Sequence, residues 1–172
     1  MNIEEYFLYG WKTVQKTCTA LTGLTVTVDE AAETLTRSTG SFITDGIAVG
    51  DLVTTTGFAN GANNTTFLVT AVAALVLTVD DSGDVLVDVT ADEGVGVNPL
   101  TKMVYDGRCL LGLIRVNTAV ITVTPKNDTT ALWGTIIDDA EFDIGCTPLY
   151  VNTSLKATFS ADGSAWFFYK AI

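Results

Sequence analysis

Residues 66–89 read Thr66-Phe-Leu-Val-Thr-Ala-Val72, then Ala73-Ala74, then Leu75-Val-Leu-Thr-Val79, then Asp80-Asp-Ser-Gly-Asp84, then Val85-Leu-Val-Asp-Val89. Three runs of β-branched and apolar residues are separated by one short connection and one acidic turn. Residues of this kind favour strands over helices, because two heavy atoms on Cβ restrict the side chain in a helix and pack well on a pleated surface. Runs of about five residues between turn signals give a meander of short strands. The pattern extends in both directions. Leu24-Thr-Val-Thr-Val28 alternates strictly, Thr34-Leu-Thr-Arg37 repeats the alternation, and Leu52–Thr56 follows the tight turn at Gly50. In the second half, strands are expected near 100–104, 110–116, 119–124, 131–137, 149–152, 155–160 and 166–170. Asp162-Gly163 is a hairpin signal between the last two. With 28 Thr and 19 Val in 172 residues, the expected class is mainly β, a sandwich or barrel.

Residues 2–20 are the exception. Ile3, Phe7, Trp11, Val14 and Cys18 recur at spacings of three and four, which predicts one N-terminal helix. Asn2 is placed to cap it, and Glu4 and Glu5 suit its positive end. The aromatic stripe is expected either to lie on the protein's own sheet or to act as an arm reaching another chain through Phe7 and Trp11. The chain is therefore divided into a helix or arm (1–20), a β module (21–98) and a second β region (99–172). Whether the two β regions form two small subdomains or one sandwich stays open. The break falls in Asp92-Glu-Gly-Val-Gly-Val-Asn-Pro99, which combines charge, two glycines and a proline.

Thr34 to Val79 carries two distinctive strings. One is Ser-Phe-x-x-Asp-Gly-x-x-Val-Gly-Asp, from Ser41 to Asp51. The other is Gly-Phe-x-Asn, Asn-Asn and Phe-x-Val-x-x-Val, from Gly57 to Val72. The segment resembles a small β module of structural proteins of tailed bacteriophages, found in head-associated, neck and tail-tube proteins. The resemblance implies a virion component assembled in the host cytoplasm. The residues also have a packing reading of their own. Phe42, Phe58 and Phe67 are spaced as inward anchors of a small barrel, and Asn60, Asn63 and Asn64 suit left-handed positions in a loop.

Composition narrows the chemistry. The chain has no His, the usual general base near neutral pH and the commonest metal ligand. It has 20 acidic and 9 basic residues, a net charge of -11, so a specific grip on nucleic acid is not expected. Cys18, Cys109 and Cys146 are far apart and odd in number, which points to free thiols. Neither Asp80, Asp81 and Asp84 nor Asp138, Asp139, Glu141 and Asp143 follows the calcium-loop pattern. No run of apolar residues is long enough for a membrane-spanning helix, and the acidic start Met-Asn-Ile-Glu-Glu is unlike a signal peptide. No enzyme activity, cofactor or metal site is expected.

The aromatic run Trp166-Phe-Phe-Tyr169 puts large apolar groups on both faces of a strand. Such a strand is either central in a sandwich or covered by a partner. With Phe7, Trp11, Trp133 and Tyr150, the residues Trp166 and Tyr169 are the candidate interface. The expected role is a capsid decoration or cement protein, bound to the major capsid protein or other virion proteins and to copies of itself. A tail-tube or neck subunit with an acidic DNA-passage surface is the alternative. A host-glycan-binding module using Trp133 and Trp166 is a third reading. The acids fall in separate turns and are expected to point in several directions, which favours shell over tube.

Overall fold

A computed structural model of the chain describes residues 10–117, 122–132, 136–137, 141–143 and 149–172. The chain divides into two compact units. One is Thr19–Thr101; the other joins Met1–Cys18 to Lys102–Ile172.

The first element is β1 (Lys12–Cys18). It is a strand, and the predicted helix is not seen; residues 1–9 of that prediction lie outside the described residues. The stripe Trp11, Val14, Cys18 fits a helical period, but Thr13, Val14 and Thr17 are β-branched. A complementary strand is also available: β1 pairs antiparallel with residues 163–169 from Cys18↔Gly163 to Lys12↔Tyr169. Tertiary pairing overrides a weak local preference. Gly10 has φ +75 and precedes the strand, a backbone conformation that does not continue a helix.

Residues 19–101 form a barrel. Its strands are β2 (Leu21–Asp29), β3 (Thr34–Arg37), β4 (Leu52–Thr56), β5 (Thr66–Val72), β6 (Val76–Asp80) and the first part of β7 (Val89–Asp106). They pair antiparallel in the order β7-β2-β3-β6-β5-β4, and β4 returns to pair with β7. Closure leaves the barrel without an unpaired edge. Register shifts in the β2–β7, β4–β7 and β5–β6 ladders let strands this short curve round. Alternation sorts the side chains. Val26, Val28, Leu35, Val53, Phe67, Val69, Leu77, Val79, Val95 and Val97 are buried together with Phe42, Ile47, Phe58 and Leu86. The outward positions of β2–β6 are largely threonine: Thr25, Thr27, Thr34, Thr36, Thr54, Thr66, Thr70 and Thr78.

Two expectations change here. Val85–Asp88 is not a strand; it leads into β7. Residues 92–99, read as the boundary between the two β regions, do not interrupt the strands: they lie inside the 18-residue β7, where Val95 and Val97 face the barrel interior, and the division between the two units falls just after them, between Thr101 and Lys102.

The other unit contains β8 (Cys109–Val116), β9 (Thr122–Asn127), β10 (Thr130–Ala131), β11 (Ile136–Ile137), β12 (Glu141–Asp143), β13 (Leu149–Val151), β14 (Ser154–Phe159) and β15 (Gly163–Ala171). One sheet has the order β1-β15-β8-β12, with β13 also on β8. Strand β9 pairs with β10, β11 and β14. The turn at Asp162-Gly163 does not close a hairpin. Strand β14 pairs with β9, while β15 pairs with β1 and β8, so the turn carries the chain from one sheet to another.

Candidate functional site

The phage-like strings are built for packing. Phe42 is fully buried, with Arg37 stacked 4.8 Å above its ring. Arg37 donates to Asp45 Oδ2 at 2.5 Å and to the Thr39 carbonyl, so the only cation of the barrel unit closes the 38–47 loop. Asp51 is buried, and its Oδ2 accepts from Ala48 N at 3.0 Å. Asn60, Asn63 and Asn64 do not take left-handed backbone angles; none is among the positive-φ residues. They act through side-chain amides. Asn63 is fully buried, donates from Nδ2 to Val87 O and accepts from Val87 N, both at 2.9 Å. Asn64 makes the same two-way pair with the backbone of Phe58.

These bonds draw the acidic loops to one end of the barrel. Glu30 N donates to Asp88 Oδ1 at 2.8 Å, Val79 N to the Glu33 carbonyl, and Ala59 N to Asp92 Oδ2 at 2.9 Å. Asp81, 7% exposed, accepts from Val85 N and Leu86 N. Asp29, Glu30, Glu33, Asp80, Asp81, Asp84, Asp88, Asp92 and Glu93 therefore surround one end, with Asp29 and Asp88 lining an open depression of about 310 Å³. The turn acids were expected to point in several directions; strand closure gathers those between Asp29 and Glu93, while Asp138 and Asp139 lie outside the described residues. The unit 19–101 holds 11 of the 20 acids and one base, Arg37, whereas the rest of the chain holds nine acids and eight bases. Val85 and Val87 stand exposed among the acids.

The second surface lies on the β1-β15-β8 sheet. One face carries Ala165, Phe167, Ile114 and Val116, all buried. The pleat puts Trp166, Phe168, Leu113 and Arg115 on the other. There Leu113 and Phe168 form a small cluster with Trp11 packed against it, and Gln15 reaches across to Ser164. Past the register shift after Phe168, the same face continues with the row Tyr150–Leu110–Lys170. Trp166 is 37% and Tyr150 47% exposed. Arg108 Nε donates to Tyr150 Oη at 2.9 Å and its guanidinium lies 5.7 Å from the ring centre. Arg115 and Lys170 belong to this face, whereas Lys12 and Lys16 pair with Tyr169 and Ala165 of the opposite one, and strand β12 sets Glu141 and Asp143 in register with Arg115 and Leu113.

Of the candidate interface residues, Trp11, Tyr150 and Trp166 share this face. Tyr169 lies on the opposite one, beside Leu111, its ring 4.9 Å from that of Tyr105. Burial, reinforced by Tyr105 and Cys109, raises its phenol above the usual range. Phe7 and Trp133 lie outside the described residues. Burial pushes the Cys109 thiol up to about 11; Cys18 is also a buried thiol, and Cys146 lies outside the described residues. Among the described residues no group of three His, Cys, Asp or Glu is placed to hold a metal ion, and no helix is long and apolar enough to cross a membrane. The sequence reading passed over Arg108, Lys170 and the 29–33 acids. Counting charges separately for residues 19–101 is the signal that finds the acidic end. No protein-family model, curated protein or solved structure matches the chain.

Proposed function

We propose that this chain is a non-enzymatic structural protein of a tailed-phage particle, a capsid decoration or cement protein that adds contacts between shell subunits. The reading rests first on the resemblance of residues 34–79. The observation that carries it further is the use of the loop polar groups. Asp51, Asp81, Asp88, Asp92, Asn63 and Asn64 bond backbone amides of the barrel's own loops. Side chains used in this way make a rigid body that acts through its surfaces. An acidic barrel end facing solvent keeps particles apart.

The gathering of nine acids at one end is the specific observation for the second reading, a tail-tube or neck subunit. A wall along which DNA slides needs carboxylates on strand faces within about a Debye length, roughly 8 Å at physiological salt. The outward positions of β2–β6 are largely threonine, and seven of the nine acids sit in loops or at strand ends, with Asp92 and Glu93 alone among them inside a strand, so decoration remains the first reading. Co-sedimentation with expanded shells of the major capsid protein tests it. Saturable binding to shells is the expected result. Binding to isolated tails or necks and none to shells establishes the second reading instead.

A further inference from the structure

We propose that residues 19–101 are an inserted module that opens and recloses while the rest of the chain stays folded. The opening is a property of the free chain and stands apart from any place on a particle.

The ladders β2–β3, β2–β7, β3–β6, β4–β5, β4–β7 and β5–β6 use residues 21–101 alone. The core around Phe42, Phe58 and Phe67, from Val26 to Val97, draws on the same stretch. Rungs and core shared in this way open as one cooperative unit. The ends of the module lie side by side. Strand β2 begins it, β7 leaves it, and the two pair antiparallel at Leu21↔Val97, so the chain enters and exits at neighbouring points. Adjacent ends let one fold carry another within it.

The remainder is joined across the insertion. Strand β1, from before the barrel, pairs with β15, from after it, over seven residues. Strand β15 also pairs with β8, and Leu111, Ile114 and Phe167 on these strands are fully buried. Neither ladder uses a barrel residue. The backbone crosses between the units at Cys18–Thr19 and, within β7, at Thr101–Lys102. Fraying of β7 up to Thr101 releases the barrel and leaves Lys102–Asp106 in place. Charge selects the barrel as the unit that opens. Residues 19–101 carry eleven acids and one base, net -10, whereas the remainder carries nine acids and eight bases, net -1. The one base, Arg37, is already bound to Asp45. Self-repulsion of a unit of one sign works against its compact state and grows as salt is lowered.

The sequence supplies the probes for a test on the full chain. All three Trp and all five Tyr lie outside 19–101, so tryptophan fluorescence follows the remainder, whereas far-ultraviolet circular dichroism follows both units. At about 50 mM salt the dichroism change is expected to begin at lower urea than the fluorescence change. In Asn63→Ala, amide exchange of a peptide covering 66–80 is expected to be about tenfold faster or more. The dichroism transition is expected to start earlier still, with the fluorescence midpoint unmoved. Gly57→Ala, a strain in the same barrel, is expected to give the same pattern. A variant whose barrel is wholly open while its fluorescence stays native supports the proposal directly. Coincident dichroism and fluorescence curves that shift together in Asn63→Ala or Gly57→Ala show one cooperative unit and overturn it.

Discussion

Replacing Asn63 tests whether buried side-chain amides hold the barrel's acidic end together. Asn63 is fully buried and exchanges two hydrogen bonds of 2.9 Å with the backbone of Val87, which anchors a stretch that is not itself in a strand. Asn63→Ala removes both bonds and leaves a donor and an acceptor of Val87 without this partner. Each neutral bond contributes about 1 kcal/mol net and each buried orphan costs about 1–3 kcal/mol, so the loss is about 2–4 kcal/mol. Asn63→Asp keeps the shape and the bond from Val87 N but sets an oxygen against the Val87 carbonyl. At neutral pH its loss is about 3–5 kcal/mol, a large share of a typical stability of about 5–15 kcal/mol. The two variants separate by pH. Protonation turns the offending oxygen into a donor, so the new carboxyl holds its proton more tightly in the folded chain than in the unfolded one, where its pKa is about 3.9. A raised folded value means that the stability is present at low pH and is lost as pH rises through that value. The gap between Asn63→Asp and wild type therefore narrows as pH is lowered from 7, while the gap for Asn63→Ala does not. Urea denaturation followed by circular dichroism at several pH values measures both gaps. Variants within about 0.5 kcal/mol of wild type at pH 7, or an Asp gap independent of pH, would refute the reasoning.

Asp81→Ala takes the acceptor from Val85 N and Leu86 N and is expected to lower stability by about 3 kcal/mol, with amide hydrogen exchange at residues 85 and 86 as the local readout. Cys109, its thiol raised from 9.0 to about 11 by burial, is expected to react with a thiol reagent at pH 8 about a hundredfold more slowly in the folded chain than in urea. Its contribution to stability is complete below the unfolded value and is lost as pH rises through the folded one, which alkaline denaturation between pH 8 and about 11 checks. Trp11→Ala uncovers Leu113 and Phe168 and is expected to destabilise the isolated chain by about 1–3 kcal/mol in a melting experiment; an unchanged melt shows that Trp11 is not needed by its own fold. Gly57→Ala strains a residue at φ +83 whose added Cβ meets the Gly94 carbonyl oxygen at 2.8 Å, with an expected loss of about 1–3 kcal/mol in the same measurement.

Local pattern determined the strand-rich class of this protein and many of its strands. Alternation in Leu24–Val28, Thr34–Arg37 and Thr66–Val79 records which side chains face a core, and period two is readable without knowing what the core is. The inward position of Phe67 was legible for the same reason; Phe42 and Phe58 lie outside the strands, and their burial was legible from their size and spacing. Tertiary structure decided what pattern leaves degenerate. Trp11, Val14 and Cys18 share one face of a helix but divide between the two faces of a strand, and the partner strand at 163–169, about 150 residues away, selects the strand. The turn at Asp162-Gly163 has hairpin chemistry, yet the strands on either side pair elsewhere, because register and partner are long-range choices. Glycines and a proline at 94–99 look like a break but continue a strand whose neighbours hold it. The charge of residues 19–101 can be counted in the sequence. That nine carboxylates share one barrel end, and that Trp11, Tyr150 and Trp166 share one sheet face, follows only from closing the barrel and setting the register, since adjacency across strands is not written at any fixed spacing along the chain.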